Sequence, residues 1–212
     1  MAATNEQVIA FINLLGPLAV AECNRRAAAG TPFVVPSVCM AQSAHETGWG
    51  LAGIMTKANA FFGIKAGGSW TGKIYRADTW EVAENGEAYN TVANFRAYDS
   101  LEESVADYYN LIVNNSRYVN GLSTWPSPIL SAYDTLYAIW SGGYATDTAY
   151  VEHVYGLLRG RDLEQWDKKI DPANASGGGD YTYTPPDNSG DSFTDYVPGT
   201  TVKYVFKEIK KE

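Results

Sequence analysis

The segment Ala44-His45-Glu46-Thr47-Gly48-Trp49-Gly50 closes an apolar run with one carboxylate and follows it with a tryptophan set between glycines. Upstream, Val38, Cys39, Met40, Ala41 and Ala44 read as a helix turned into a core, opened by Pro36 and stopped by Gly48. Glu46 then leaves the last turn of a core helix toward a cleft walled by Trp49. An aromatic wall disfavours the ionised carboxylate and raises its pKa, which suits a general acid near neutral pH. The C-terminal end of the helix dipole acts in the same direction. A glutamate that merely braces a helix end fits the same position, so local sequence leaves both roles open.

Working outward, Asn5 to Ala29 reads as helix, with Val8, Ile9, Phe11, Ile12 and Leu15 on one side and Gly16-Pro17 as a break. Ser100 and Glu103 form a capping box for a helix from Leu101 to about Asn114, with Val105, Tyr108, Tyr109 and Ile112 as its apolar face. Further helical patterns run over 127–140, 146–159 and 161–169. Between Lys73 and Arg96 the residues become aromatic and β-branched around Asn85-Gly86, a hairpin signal. A two-residue turn there pairs Glu84 with Glu87, Val82 with Tyr89, Glu81 with Asn90 and Trp80 with Thr91. Glu81 then shares a face with Thr79, Asn90 and Val92, while Glu84 and Glu87 lie at a solvated tip. The class expected is α+β, predominantly helical.

The chain has 212 residues, 45% of them hydrophobic, enough for one substantial core. We divide it into a catalytic domain over 1–170, a Gly/Pro/Ser-rich linker over 171–195 that includes Ser176-Gly177-Gly178-Gly179, and a short segment over 196–212 suited to docking, self-association or a truncated appendage. A net charge of −8 argues against a nucleic-acid partner. Cys23 and Cys39 fall in apolar helical patterns and read as buried thiols. The N-terminus lacks the basic start and apolar centre of a signal peptide, and no run reads as a membrane span. Release by a route other than an N-terminal signal is therefore expected.

His45-Glu46 invites a zinc-protease reading, but the second histidine of that motif would fall at Trp49, and His153 lies far along the chain. No Gly-x-Ser-x-Gly elbow occurs, and Gly67-Gly68 lacks the context of a phosphate loop. No metal and no cofactor are called for. What remains is acid chemistry among six Trp and fifteen Tyr, a composition suited to glycosidic bond cleavage with aromatic platforms for sugar faces. Trp49, Trp70 and Tyr118 lie in loop-like, glycine- or asparagine-rich surroundings where packing explains them least.

Six motifs carry a resemblance: Ala41 to Gly50, Asn59 to Ala66, Thr79-Trp80-Glu81, Phe95 to Tyr98, Arg117-Tyr118, and Gly143-Tyr144-Ala145-Thr146-Asp147. In this order, and over about residues 8 to 160, they resemble glycoside hydrolase family 73, bacterial and phage glucosaminidases that cut peptidoglycan. The resemblance implies a lysozyme-like fold, in which a helical lobe and a small β-hairpin lobe flank a sugar-binding groove. It implies Glu46 as general acid and Glu81 as a second acid on the hairpin. It further implies Tyr118 in the groove lining and Phe62, Gly63 and Ile64 in its floor; Tyr144 of the last motif and the loop-borne Trp49 and Trp70 are expected as further substrate contacts. The partner implied is the peptidoglycan glycan strand, cut between GlcNAc and MurNAc, in a cell-wall setting such as a phage lysin or virion enzyme. His45 stands where Leu is common in the family, and Ala60 where a second Asn is common. Because successive helix residues point about 100° apart, His45 is expected to face away from the cleft. Cleavage as a muramidase or lytic transglycosylase, or a non-catalytic wall-binding module, are the competing readings.

Overall fold

The structure, a computed structural model, describes residues 3–67, 70–82 and 88–177, without the side chains at 79–82, 88 and 176–177. Six α-helices and one antiparallel hairpin make up most of it: α1 (Asn5–Ala28), α2 (Pro36–Thr47), α3 (Gly53–Ala58), β1 (Lys73–Val82), β2 (Ala88–Ala97), α4 (Leu101–Val113), α5 (Ala132–Ser141) and α6 (Tyr150–Gly160). Short 3-10 turns cover Ser116–Gly121, Leu163–Lys169 and Pro172–Gly177.

The apolar residues divide into two clusters, which define two lobes. The larger cluster joins Phe11, Leu15, Ala19 and Cys23 of α1 to Val38, Met40 and Ala41 of α2, Tyr108, Tyr109 and Ile112 of α4, and the inner faces of α5 and α6. The smaller lies under the hairpin and contains Ile54, Ala58, Ala60, Ala77, Phe95 and Tyr98. Arg96 of β2 and Asp107 of α4 form a buried ion pair at 3.1 Å, and the Tyr98 hydroxyl donates to Asp107 Oδ2 at 2.6 Å. Satisfied in this way, the pair fixes the hairpin to the helical lobe.

α1 runs without a break through Gly16-Pro17, where the sequence reading places one. Pro17 and Asn13 are both exposed, so the carbonyl that loses its helical partner at Pro17 faces water. Gly16 sits beneath Trp166, where a Cβ would come within 2.6 Å of the indole. By length and composition α1 is also the one described helix able to cross a membrane, contrary to the expectation from sequence. Its Phe11-Leu15-Ala19-Cys23 stripe lines the core, and that burial accounts for its apolarity.

Other boundaries move as well. α5 begins at Ala132 rather than 127, because Pro128 interrupts the segment and Ser131 caps the helix by accepting from Asp134 N. Residues 172–177 coil against α1, and Asp171 N donates to Asn24 Oδ1 at 2.7 Å, so the packed body extends past residue 170. The remainder of the expected linker and the segment 196–212 lie outside the described residues. Both cysteines are free and buried, with burial pushing each thiol up; Cys23 Sγ lies 3.2 Å from the Tyr109 hydroxyl.

Hairpin register differs from expectation by one residue. Trp80 pairs with Asn90, Glu81 with Tyr89 and Val82 with Ala88. A one-residue slip exchanges the faces, so position 81 is in phase with Thr79, Ala77, Tyr89, Thr91 and Phe95, and out of phase with Asn90 and Val92. Buried Ala77 and Phe95 explain the choice, since the other register would turn one of them to solvent. The expected tip residues Glu84, Asn85, Gly86 and Glu87 lie outside the described residues.

Candidate active site

α2 delivers Glu46 from its last turn. At the other end of the helix, Ser37 N and Oγ donate to Asp167 at 2.8 and 2.6 Å, placing an acid against the free N–H groups of the first turn. Thr47 Oγ1 donates to Ser43 O at 2.7 Å and accepts from Gly50 N at 2.9 Å, which ties the following turn to the helix. Gly48, Trp49 and Gly50 are all left-handed, with φ of 58°, 63° and 79°. For a tryptophan that conformation costs of order 1–3 kcal/mol. It turns the indole edge-on to Phe11 of α1 at 5.7 Å, with the Arg161 guanidinium 5.9 Å from the ring centre. The ring that sequence sets beside Glu46 is thus engaged with α1 and Arg161.

Glu46 is half-buried, and desolvation pushes its carboxyl up from 4.5 to about 8. At neutral pH the proton is therefore largely retained. Tyr144 is close enough that the Glu46 charge helps to raise its phenol, whose main cause of elevation is its own burial. Tyr118 packs edge-on against Tyr144 at 6.2 Å, and Tyr144 meets Tyr150 at 5.9 Å. The two tyrosines carried by the Arg117-Tyr118 and Gly143 to Asp147 motifs therefore meet on the side of the acid.

Phe62, Gly63 and Ile64 form one continuous segment that joins the lobes. Ser43 Oγ of α2 donates to Phe61 O at 2.9 Å, and Ser104 Oγ of α4 accepts from Phe61 N at 3.0 Å. Gly63 takes φ of 58°, after which Arg96 N donates to Ile64 O at 2.8 Å and Ala66 N to Asn94 O at 2.9 Å, along β2. Phe62 stacks on Tyr108, with centroids 4.0 Å apart and planes at 13°. Trp70 sits under the hairpin instead: Arg96 lies over its ring at 4.7 Å, Tyr98 meets it at 5.9 Å, and its Nε1 donates to Lys73 O at 2.9 Å. Position 81 lies near the distal end of β1, paired with Tyr89.

Gln42 and Tyr150 of this region were not singled out from sequence. Gln42, one turn before Glu46 on α2, is fully buried; its Oε1 accepts from the Tyr108 hydroxyl and its Nε2 donates to the Tyr150 hydroxyl at 2.9 Å. A lone amide in an otherwise apolar run was the available signal, while Tyr108 read as part of the apolar face of its helix. His45 is exposed, with its ring edge-on to Tyr150 at 5.4 Å. Folding does bring His153 close to it: burial and the His153 charge lower the His45 pKa, and Asp147, 3.5 Å from His153, opposes them. Among the described residues no group of three or more His, Cys, Asp or Glu has metal-holding geometry.

A family profile described as mannosyl-glycoprotein endo-beta-N-acetylglucosaminidase matches residues 25–163. The chain belongs to the glucosaminidase family. Its relatives in this family include the peptidoglycan hydrolase FlgJ of Pseudomonas aeruginosa, 37% identical over 124 residues, covering 57% of this chain and 30% of that protein. The exo-glucosaminidase LytG of Bacillus subtilis is 32% identical over 143 residues, covering 64% of this chain and 47% of that protein. The chain thus spans less than half the length of each of these relatives. Among solved structures, the catalytic domain of the autolysin Auto from Listeria monocytogenes matches with a TM-score of 0.63 and 29% identity, over 78% of this chain and 90% of that one. A peptidoglycan hydrolase mutant from Sphingomonas sp. A1 matches with a TM-score of 0.59 and 33% identity, over 74% and 96%. The helical lobe with its hairpin is accordingly the glucosaminidase-domain fold that the resemblance implies.

Proposed function

We propose that this chain hydrolyses peptidoglycan at the β-1,4 bond between GlcNAc and MurNAc, with Glu46 as general acid. The observation that carries the proposal is the half-buried Glu46 at the end of α2, its carboxyl raised to about 8 by desolvation and Tyr144 beside it. A protonated carboxylic acid at working pH is what the leaving glycosidic oxygen requires. The partly exposed Ile64 and Tyr144 serve as the sugar-contacting surface next to the acid, backed by the buried Phe62, Gly63 and Tyr118, with Trp49 and Trp70 as flanking positions. Glu81, on the hairpin, acts as the second acid or leaves the stabilisation of the anomeric centre to the substrate's own 2-acetamido group. Membership of the family and the similarity to the peptidoglycan hydrolase FlgJ and the exo-glucosaminidase LytG support the substrate class. Those relatives are bacterial, so the setting proposed is the bacterial cell wall, and the narrower expectation of a phage lysin draws no support from them.

The test is digestion of purified peptidoglycan followed by borohydride reduction and mass spectrometry. New reducing ends that are GlcNAc support the proposal. MurNAc ends would make the enzyme a muramidase, anhydro-MurNAc ends a transglycosylase, and an absence of new ends a binding module.

A further inference from the structure

α5 carries its aromatic residues on the wrong side for a soluble helix. Ala132, Thr135, Leu136 and Ile139 face the core. The opposite side of such a helix is ordinarily charged. Here it presents Tyr133 and Tyr137, 39% and 50% exposed, followed by the partly exposed Trp140. The Tyr133 and Tyr137 rings lie within 14° of parallel, with centroids 6.4 Å apart, and Trp140 continues the row 5.7 Å from Tyr137. Tyr155 of α6 braces Tyr133 edge-on at 5.1 Å, and the Arg159 guanidinium lies 5.9 Å from the Tyr155 ring centre.

From this row we infer a second carbohydrate-binding surface, which takes a peptidoglycan glycan strand outside the bond being cut; the ligand class rests on the function proposed above. Three features favour a glycan over a protein partner. The exposed row is made of flat rings, most of them with hydroxyl edges, and holds no aliphatic side chain, which suits a sugar's apolar face and polar rim better than an interdigitating apolar surface. The run from Tyr133 to Trp140 rises about 10 Å along the helix, enough for neighbouring sugars of one strand to lie along it. The row also leads to the proposed site: Trp140 Nε1 donates to Asp147 O at 2.9 Å, pinning the segment that carries Tyr144, and Gly142 packs against Arg117 and Tyr118. Arg159 at its edge offers a cation to the carboxylates that peptidoglycan bears.

The experiment uses the full chain in two assays. In a Glu46→Gln background, co-sedimentation with purified sacculi is compared with and without Tyr133→Ser and Tyr137→Ser. In an otherwise wild-type background, cleavage of a soluble GlcNAc–MurNAc tetrasaccharide is compared for the same pair of substitutions. Several-fold weaker retention on sacculi with unchanged tetrasaccharide cleavage is the expected result, and that cleavage also reports an intact fold. Unchanged retention overturns the inference, as does an equal loss on sacculi and tetrasaccharide, or a change in sedimentation velocity that reveals a dimer seated on this face. Failure of the wild-type chain to cut the tetrasaccharide would count against the proposed function instead, while retention on sacculi still reads the surface.

Discussion

Gln42 Nε2 donates to the Tyr150 hydroxyl at 2.9 Å, while Gln42 Oε1 accepts from the hydroxyl of Tyr108. One amide thereby ties α4 and α6 to the helix that ends in Glu46. Tyr108 stacks on Phe62, and Tyr150 touches Tyr144, so the same amide links the floor segment to the tyrosines beside the acid. Replacing it with Leu removes the hydrogen bonds it makes to two buried hydroxyls, at about 1–3 kcal/mol where a buried group is left unsatisfied. Gln42→Leu is expected to lower stability by several kcal/mol in urea titrations. Gln42→Glu keeps the shape but puts an ionisable carboxyl in a fully buried place, so its loss is expected to be smallest near pH 4 and to grow as pH rises.

Glu46 carries a signature in stability as well as in rate. Its folded carboxyl is raised to about 8 from 4.5, so between those values the native state holds more protons than the unfolded chain. Stability therefore falls as pH rises from 4.5 through 8, as the folded protein is made to bury a charge. Gln cannot ionise, so Glu46→Gln should match wild type at pH 4 and exceed it above pH 8, by an order of 1–3 kcal/mol once partial exposure is allowed for. Thermal melts across that range check it; a gap that fails to open between pH 4.5 and 8 would remove desolvation as the cause. The same variant is expected to lose turnover by about 10²–10⁴-fold or more with its fold intact.

Gly142 lies where α5 meets the turn that carries Tyr118. A Cβ there would stand 2.4 Å from the Arg117 carbonyl oxygen and 2.8 Å from the Tyr118 ring. The first of these neighbours is backbone and does not yield as a side chain does. Gly142→Ala is expected to cost about 1–3 kcal/mol and to displace Tyr118 from Tyr144, lowering activity more than the stability loss alone explains. Gly156→Ala is the control, since nothing lies within 4 Å of its added methyl and it sits inside α6.

Helix ends and core faces were legible because their causes are local. Pro36 and Gly48 bound α2, Ser100 caps α4, and Val105, Tyr108, Tyr109 and Ile112 are buried as the periodicity requires. The features that sequence missed are set by distant partners. Pro17 breaks nothing because Asn13 is exposed, a property of how α1 lies on the core. The meeting of His45 with His153 and the ties of Gln42 depend on α6 packing against α2, which no short pattern encodes. For the same reason Trp49 and Trp70 looked like platforms in glycine-rich loops, whereas Phe11, Arg161, Arg96 and Tyr98 occupy their rings.

Register decides how Glu81 is tested. Placing Glu81 opposite Tyr89 puts position 81 in phase with Ala77 and Phe95, the face that packs on the smaller cluster, rather than with Asn90 and Val92. Position 81 lies near the turn end of the hairpin, and the hairpin is held to the helical lobe by Arg96 and Asp107, which pair at 3.1 Å. Glu81→Gln is therefore expected to reduce turnover by about 10²-fold, a graded loss beside that of Glu46→Gln, without a shift in the upper limb of the pH profile that Glu46 sets. Asp107→Asn weakens the buried pair at a cost of about 3–5 kcal/mol and should reduce activity toward the Glu81→Gln level. If the two effects share a cause, Asp107→Asn will add little to turnover loss in the Glu81→Gln background, and the double-mutant cycle measures that directly.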